Sequence, residues 1–360
     1  MRNNIKKLFS ILLVILIIVG FWCLTSASNI VGRDKHGDSF FFVKDQFVKG
    51  LVLGTIAFFV LSKINLNFLR KFSFLFLLIN TILLGMVFIP QFIPKGNATA
   101  NRWLQFMGFS FQPAELLKFT LILFVADFLS KKSISDLNNW TKTILPLVLY
   151  MAPAIILIYK QPATSIIVLF LVAIGAMCFS LKLSMKILLP LGILAILCFG
   201  IFLLIGGKGS DYRKERITNK DDYQRRQSII GIVRGGVIGV GFGQSRQKYN
   251  YLPQSYTDSI YAVIAEEFGF VGTTVILALY FSLWFLGFYV ASHNGDTFSS
   301  LFIIGTITWI TVQALYHIMC MSFSQMPITG LPLPLISYGG TSYAITMASM
   351  GVFYNIINKS

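Results

Sequence analysis

Leu8-Phe-Ser-Ile-Leu-Leu-Val-Ile-Leu-Ile-Ile-Val-Gly-Phe-Trp-Cys-Leu-Thr-Ser-Ala-Ser28 is a run of 21 residues without a charge. Its length decides its reading. About 20 apolar residues in a helix cross the roughly 30 Å hydrocarbon core of a bilayer. Arg2, Lys6 and Lys7 precede the run, and Thr25-Ser26-Ala27-Ser28 close it in small residues, as in a secretory signal. The apolar stretch exceeds the roughly 7–15 residues of a signal core, so an uncleaved span is expected. Similar runs recur at 47–62, 72–93, 113–130, 143–159, 163–181, 184–206, 268–292, 299–323 and 335–357. Together they make ten spans and put both termini on one side. A spanning backbone must satisfy its own hydrogen bonds, so the expected fold is an all-α polytopic membrane protein.

Composition agrees. Hydrophobic residues make up 55% of the 360 and charged residues 12%, against roughly 25% charge in soluble domains. A single membrane domain over 1–360 is expected. The formal charge of +16 would suggest nucleic acid in a soluble protein. Here basic residues flank spans and meet anionic headgroups, so no nucleic-acid partner is expected. Cys23, Cys178, Cys198 and Cys320 lie inside apolar runs, and His36, His293 and His317 are far apart. Neither set has metal-ligand spacing.

Orientation follows from the short loops. With a cytoplasmic N-terminus, the inner segments carry twelve Lys and Arg, among them Lys63, Arg70, Lys71, Lys131, Lys132 and Lys359. The short outer loops carry seven, among them Arg33, Lys44, Lys95, Arg102 and Lys160. The segment 207–258, between the seventh and eighth spans, breaks the pattern. It falls outside, yet holds Lys208, Arg213, Lys214, Arg216, Lys220, Arg225, Arg226, Arg234, Arg246 and Lys248. Long loops escape the charge rule. Ile229, Ile230, Ile232 and Val233, followed by the glycine-rich run 235–243, read as a short amphipathic helix and a tight turn. No internal repeat of two transporter halves is evident.

Carboxylates at membrane depth are functional candidates by default. Asp258 stands where the basic loop gives way to an apolar stretch. It suits either a helix N-cap or a partly desolvated base. Glu115 and Lys118, three residues apart, share a helix face. They read either as an ion pair fixing helix packing or as an ammonium held toward a substrate phosphate. Glu266 and Glu267 are adjacent and point different ways, so one of them is expected at the interface. The run Gly330–Ser342, with two prolines and then two glycines, is an irregular entry to the tenth span of the kind that lines cavities.

Several of these stretches together resemble the SEDS family (shape, elongation, division and sporulation; the FtsW, RodA and SpoVE proteins). They are Asn101-Arg-Trp-Leu104 with Phe111-Gln-Pro-Ala-Glu-Leu-Leu-Lys118, and Tyr223-Gln224 with Gln227-Ser228. Further along come Gly243-Gln-Ser-Arg-Gln-Lys248, Tyr251-Leu-Pro253, Thr257-Asp258, Ala262-Val-Ile-Ala-Glu-Glu-Phe-Gly269 and Pro332-Leu-Pro-Leu-Ile-Ser-Tyr-Gly-Gly-Thr-Ser342. The resemblance runs in order from about residue 97 to the C-terminus. Gln161-Pro162-Ala163 lacks the acidic or Asn residue usual after that Gln-Pro, and Pro327-Ile-Thr-Gly330 and His317-Ile-Met319 also depart from the family pattern. Motif spacing leans toward the division-type FtsW.

The resemblance implies a peptidoglycan glycosyltransferase. It would polymerise lipid II into β-1,4 glycan strands at the outer face of the bacterial cytoplasmic membrane, beside a class B penicillin-binding protein and other division or elongation membrane proteins. It also implies Asp258 as the catalytic residue. Arg102, Glu115, Lys118, Gln224, Gln227, Ser228 and Ser337 are implied at the substrate. The leaving pyrophosphate needs cationic stabilisation. Lys118, Arg213, Arg216, Arg246 and Lys248 are candidates, as is a bound divalent cation (Mg or Mn). A lipid II flippase and a non-catalytic scaffold for a transpeptidase are the rival readings.

Overall fold

The computed structural model describes residues 2–93, 102–106, 109–161, 163–181, 221–323 and 330–359. Helices occupy nine of the ten stretches read as spans; the seventh, 184–206, lies outside the described residues. Helix α1 is Arg2–His36. Its 35 residues extend about 50 Å at 1.5 Å per residue, well beyond a membrane core. Helix α2, Phe41–Lys63, contains a π-helical stretch at Phe47–Val52. Then come α3 (Leu66–Lys71), α4 (Ser73–Met86), α5 (Pro113–Ser130), α6 (Trp140–Lys160) and α7 (Thr164–Ser180). Helix α8 is Asp221–Gly235, and α9, α10 and α11 are Ile260–Ser292, Thr297–Ser322 and Gly340–Lys359. Among the described residues, five of these helices are long and apolar enough to cross a membrane, and α4 and most of α7 form shorter apolar helices. The chain is a multi-pass membrane protein.

Two compact units divide the chain, each made of discontinuous segments. The first comprises Met1–Phe58, Asp211–Leu286 and Ile310–Ala348. Its framework is α1 with the start of α2, α8, the first part of α9, the second half of α10, and the first turns of α11. Small residues let backbones touch. A Cβ on Gly20 would sit 2.1 Å from the Leu335 carbonyl oxygen. Gln46 of α2 accepts from the Gly339 N–H at 3.0 Å, and the Tyr338 hydroxyl donates to Asp45 at 2.6 Å.

The second unit comprises Phe59–Ser210, Gly287–Trp309 and Ser349–Ser360. Helix α5 is its centre and is buried on nearly every face. That explains why its sequence is apolar all round rather than in a stripe. Before α5 an antiparallel hairpin pairs Leu104–Phe106 with Phe109–Phe111. Polar contacts mark two opposite ends of the unit. At one end, Arg70 reaches Asp296 at 3.3 Å, and Asp127 accepts from Ser73 at 2.9 Å and Lys131 at 2.7 Å. At the other, Arg102 Nε donates to the Gln161 carbonyl, and the Gln161 amide donates to the Leu84 carbonyl, both at 3.0 Å.

The loop after α8 is not a free excursion. Helix α9 breaks at Gly269, which has φ +63°. The glycine run 236–241 fills the break. Val240 and Gly241 donate N–H bonds to the carbonyls of Glu266 and Glu267, while Phe270 and Val271 donate to the carbonyls of Gly236 and Val237, all at 2.9–3.0 Å. Backbone freed by the kink is thereby satisfied, as irregular structure at membrane depth requires. The helix and glycine turn expected from the sequence are both present. The helix turns small residues inward at Ser228, Gly231 and Gly235, and exposes Ile230 and Val233. That inverts an ordinary amphipathic helix, because close approach to α9 demands small side chains.

Candidate functional site

Asp258 lies in the turn that precedes α9 and is half-buried. The helix begins at Ile260, so Ser259 separates Asp258 from it. The position next to the helix belongs to Ser259. Backbone bonds fix the turn: the Thr257 and Ser259 N–H groups both donate to the Gln254 carbonyl at 3.1 Å. The Ser337 hydroxyl donates to the Thr257 carbonyl at 2.8 Å, and Tyr338 N–H donates to the Tyr256 carbonyl at 3.0 Å. The Gln224 amide donates to the Ser259 hydroxyl at 2.6 Å. Tyr256 stacks obliquely on Phe42, with centroids 4.2 Å apart. Burial, and after it the nearby Asp258 charge, hold the Tyr256 phenol above its usual pKa. Elements from four parts of the chain therefore brace the turn that carries Asp258.

Below this turn sits a buried ionic clasp. Glu267 accepts from the Ser26 hydroxyl at 2.6 Å, from Lys248 Nζ at 3.1 Å and from Ser245 N–H at 3.3 Å. Lys248 Nζ also donates to Ser26 at 3.0 Å and to the Gly243 carbonyl at 2.8 Å. Glu266 accepts from Arg234 at 2.6 Å, from Arg246 N–H at 3.0 Å, from Gln247 N–H at 3.2 Å and from the Ser245 hydroxyl. Both glutamates are fully buried. They bind two donor sets that share Ser245 and come from the basic loop, with Ser26 of α1 added at Glu267. Excess charge in that loop is partly consumed here.

The second unit holds the other sequence-selected pair. Lys118 Nζ lies 2.9 Å from both oxygens of Glu115, and neither side chain is exposed. The ammonium also sits 5.6 Å from the Trp309 ring centroid, in the range of a cation–π contact. At the start of the same unit Arg102 binds the Gln161 carbonyl.

The structure thus brings Gln224, Ser337 and the Asp258 turn together. Ser228 is buried one turn beyond Gln224, its hydroxyl bonded to the Gln224 carbonyl at 2.9 Å, and Gln227 is half-buried on the same helix. Arg246 has an exposed side chain, while Lys248 is fully buried in the clasp. Arg213 and Arg216 lie outside the described residues. Ser26, Asp45, Tyr256 and Tyr338 were missed in the sequence. Ser26 had a signal, a hydroxyl in the small-residue close of an apolar run, but its partner is 241 residues away. Among the described residues no three His, Cys, Asp or Glu side chains are grouped as metal ligands.

A multi-pass helical protein whose polar site is mounted on a re-entrant glycine turn is the class this fold defines. The family model for FtsW, RodA and SpoVE, described as cell cycle protein, matches residues 6–360, and the chain belongs to that family. Stage V sporulation protein E of Bacillus subtilis is 31% identical over 368 aligned positions, covering 100% of this chain and 98% of the relative. A probable peptidoglycan glycosyltransferase FtsW of Geobacter sulfurreducens is 32% identical over 373, covering 99% and 97%. The crystal structure of the Thermus thermophilus rod shape determining protein RodA superposes with TM-score 0.72 at 24% identity, covering 98% and 96%. A chain of a peptidoglycan synthase complex, described as coordinating polymerization and crosslinking, gives 0.76 at 22%, covering 98% and 97%.

Proposed function

We propose that this protein is a peptidoglycan glycosyltransferase that polymerises lipid II at the outer face of the cytoplasmic membrane. Asp258 is the general base. The observation that carries the reading is the braced turn: half-buried Asp258 lies in a turn whose residues Tyr256, Thr257 and Ser259 are bonded by Tyr338, Ser337 and Gln224, at the end of a cationic loop. The Geobacter relative's name, at 32% identity over nearly the whole chain, supports the same activity. The acceptor hydroxyl attacks the donor's anomeric carbon and loses its proton to Asp258. The bond to the pyrophosphate breaks, and that group leaves with the electron pair. Inversion at the anomeric carbon gives the β-1,4 link. A divalent cation arriving with the pyrophosphate would add charge stabilisation to that from the protein.

Ten spans, cytoplasmic termini, a class B penicillin-binding protein as partner and a division-type role complete the proposal. Incubating purified protein with lipid II, alone and with its transpeptidase, tests it. Glycan strands are expected, in greater yield with the partner. Lipid II translocation across vesicles without glycan would instead establish a flippase. Loss of transpeptidase activity without any polymerisation would establish a scaffold.

A further inference from the structure

Helix α8 carries a charge that the fold leaves incompletely satisfied. Nε of Arg225 is buried and meets no acceptor. Arg234, on the same helix, shows the contrast, with its guanidinium 2.6 Å from Glu266. A guanidinium stays charged at any physiological pH and presents its donors as a rigid fork. Buried donors are ordinarily satisfied by protein, water or a ligand, and Arg225, a half-buried side chain, is open to the last two. The surroundings favour a ligand. Gln224, the preceding residue, donates to Ser259, the residue after Asp258. Three and seven residues beyond Arg225, on the same helix face, stand Ser228 and Ile232. Ser228 lies 3.5 Å from Met321 Sδ, and Ile232 packs on the cluster of Tyr261, Ala265, Cys320 and Met321. Arg225 therefore stands beside the Asp258 turn on the face directed at the end of α10. Tyr223 and Arg226 occupy the exposed face.

The geometry points to Arg225 as a binding residue for the pyrophosphate of the polyprenyl-linked donor, an assignment that rests on the glycosyl-transfer reading above. In that step the acceptor O–H breaks and its proton goes to Asp258. The acceptor oxygen bonds the anomeric carbon, the carbon–phosphate-oxygen bond breaks, and the electron pair stays on the departing pyrophosphate. Arginine matches two phosphate oxygens at once, and its worth rises as charge builds on the leaving group. Two cations of the same loop are engaged elsewhere. Lys248 is held by Glu267, Ser26 and Gly243, and Arg234 by Glu266.

The test uses the full-length protein with Asp258→Asn, which separates binding from turnover. Undecaprenyl pyrophosphate is titrated against this protein and against its Arg225→Gln and Arg225→Lys derivatives. Phosphatidylglycerol is titrated in parallel, with thermal midpoints recorded. Arg225→Gln is expected to weaken undecaprenyl pyrophosphate roughly 10–100-fold and Arg225→Lys by less, with phosphatidylglycerol binding and midpoints unchanged. Unchanged undecaprenyl pyrophosphate affinity overturns the assignment. An equal loss for both lipids also overturns it, since Arg225 is then a general headgroup contact. If Arg225→Gln does not fold, Arg225→Lys decides: weaker binding at an unchanged midpoint supports the site, and undiminished binding removes it. Polymerisation by the wild type is measured alongside. If it is absent while Arg225 still governs pyrophosphate binding, the glycosyl-transfer reading fails and the site stands.

Discussion

Asp258 precedes a helix and Lys118 lies within one, and substitution separates what each does. Ser259 stands between Asp258 and α9, so neither asparagine nor alanine at 258 removes the residue next to the helix. Both variants should insert normally and both should lose roughly 10²–10⁴-fold in glycan polymerisation. Polymerisation at the wild-type rate by Asp258→Asn would end the catalytic role. Lys118 needs a different design, because its pair with Glu115 is buried. Lys118→Met strands a carboxylate, which typically costs about 3–5 kcal/mol, so lost activity alone is uninformative. The double variant Lys118→Met/Glu115→Gln should recover most of the thermal stability. If the ammonium serves the substrate, the double variant should stay inactive. Recovery of activity together with stability would reduce the pair to a packing device. Both carboxylates were legible in the sequence because ionised groups are scarce near apolar runs. The clasp was not. Ser26, Lys248 and Glu267 come from three distant segments, and no local pattern announces such a meeting.

At the scale of elements, the junction between α9 and the glycine turn governs the site. Gly239 has φ +82°, and a Cβ there would lie 2.2 Å from the Glu267 carbonyl oxygen. Gly239→Ala must therefore both strain its backbone and push the turn off α9. The expected result is a lower thermal midpoint and a marked loss of polymerisation, because the same segment leads through the clasp to Asp258. Gly85→Ala is the control. A Cβ at Gly85, in the last turn of α4, meets nothing within 4 Å, so this change should be close to neutral. Equal midpoints for the two variants would refute the docking argument. Periodicity and glycine content revealed α8 and a turn from sequence alone. They did not reveal that the turn completes a broken helix. The break at Gly269 lies two residues past Glu266-Glu267 and has no proline to mark it, and its repair uses backbone groups, which carry no side-chain signature.

The whole molecule is constrained by parity. Asn250 donates to Asp34 at 3.1 Å, so these residues share a membrane side, and an even number of crossings must separate them. Between them the described helices that occupy stretches read as spans in the sequence are α2, α4, α5, α6 and α7, which is an odd number. Arg70 and Asp296 impose the same requirement in the other unit. There the intervening candidates are α4, α5, α6, α7 and α9, again odd. If each of these helices crosses, as the sequence reading proposes, one further crossing is needed in each case, and both intervals contain residues 184–206. The apolar run read from the sequence at that position is the stretch available to supply it. Tyr338 with Asp45 adds a check, since α2, α4, α5, α6, α7, α9 and α10 lie between them and the same extra crossing makes the number even. The prediction follows directly. A single cysteine at Tyr251, an exposed position, should react with a membrane-impermeant maleimide on intact cells. One at Lys132 should react after permeabilisation alone, and one at Lys182 should behave like Lys132. Reporter fusions at Lys182 and Lys208 should fall on opposite sides. If both fall on the same side, 184–206 does not cross, the total becomes nine, and the two termini lie on opposite faces of the membrane.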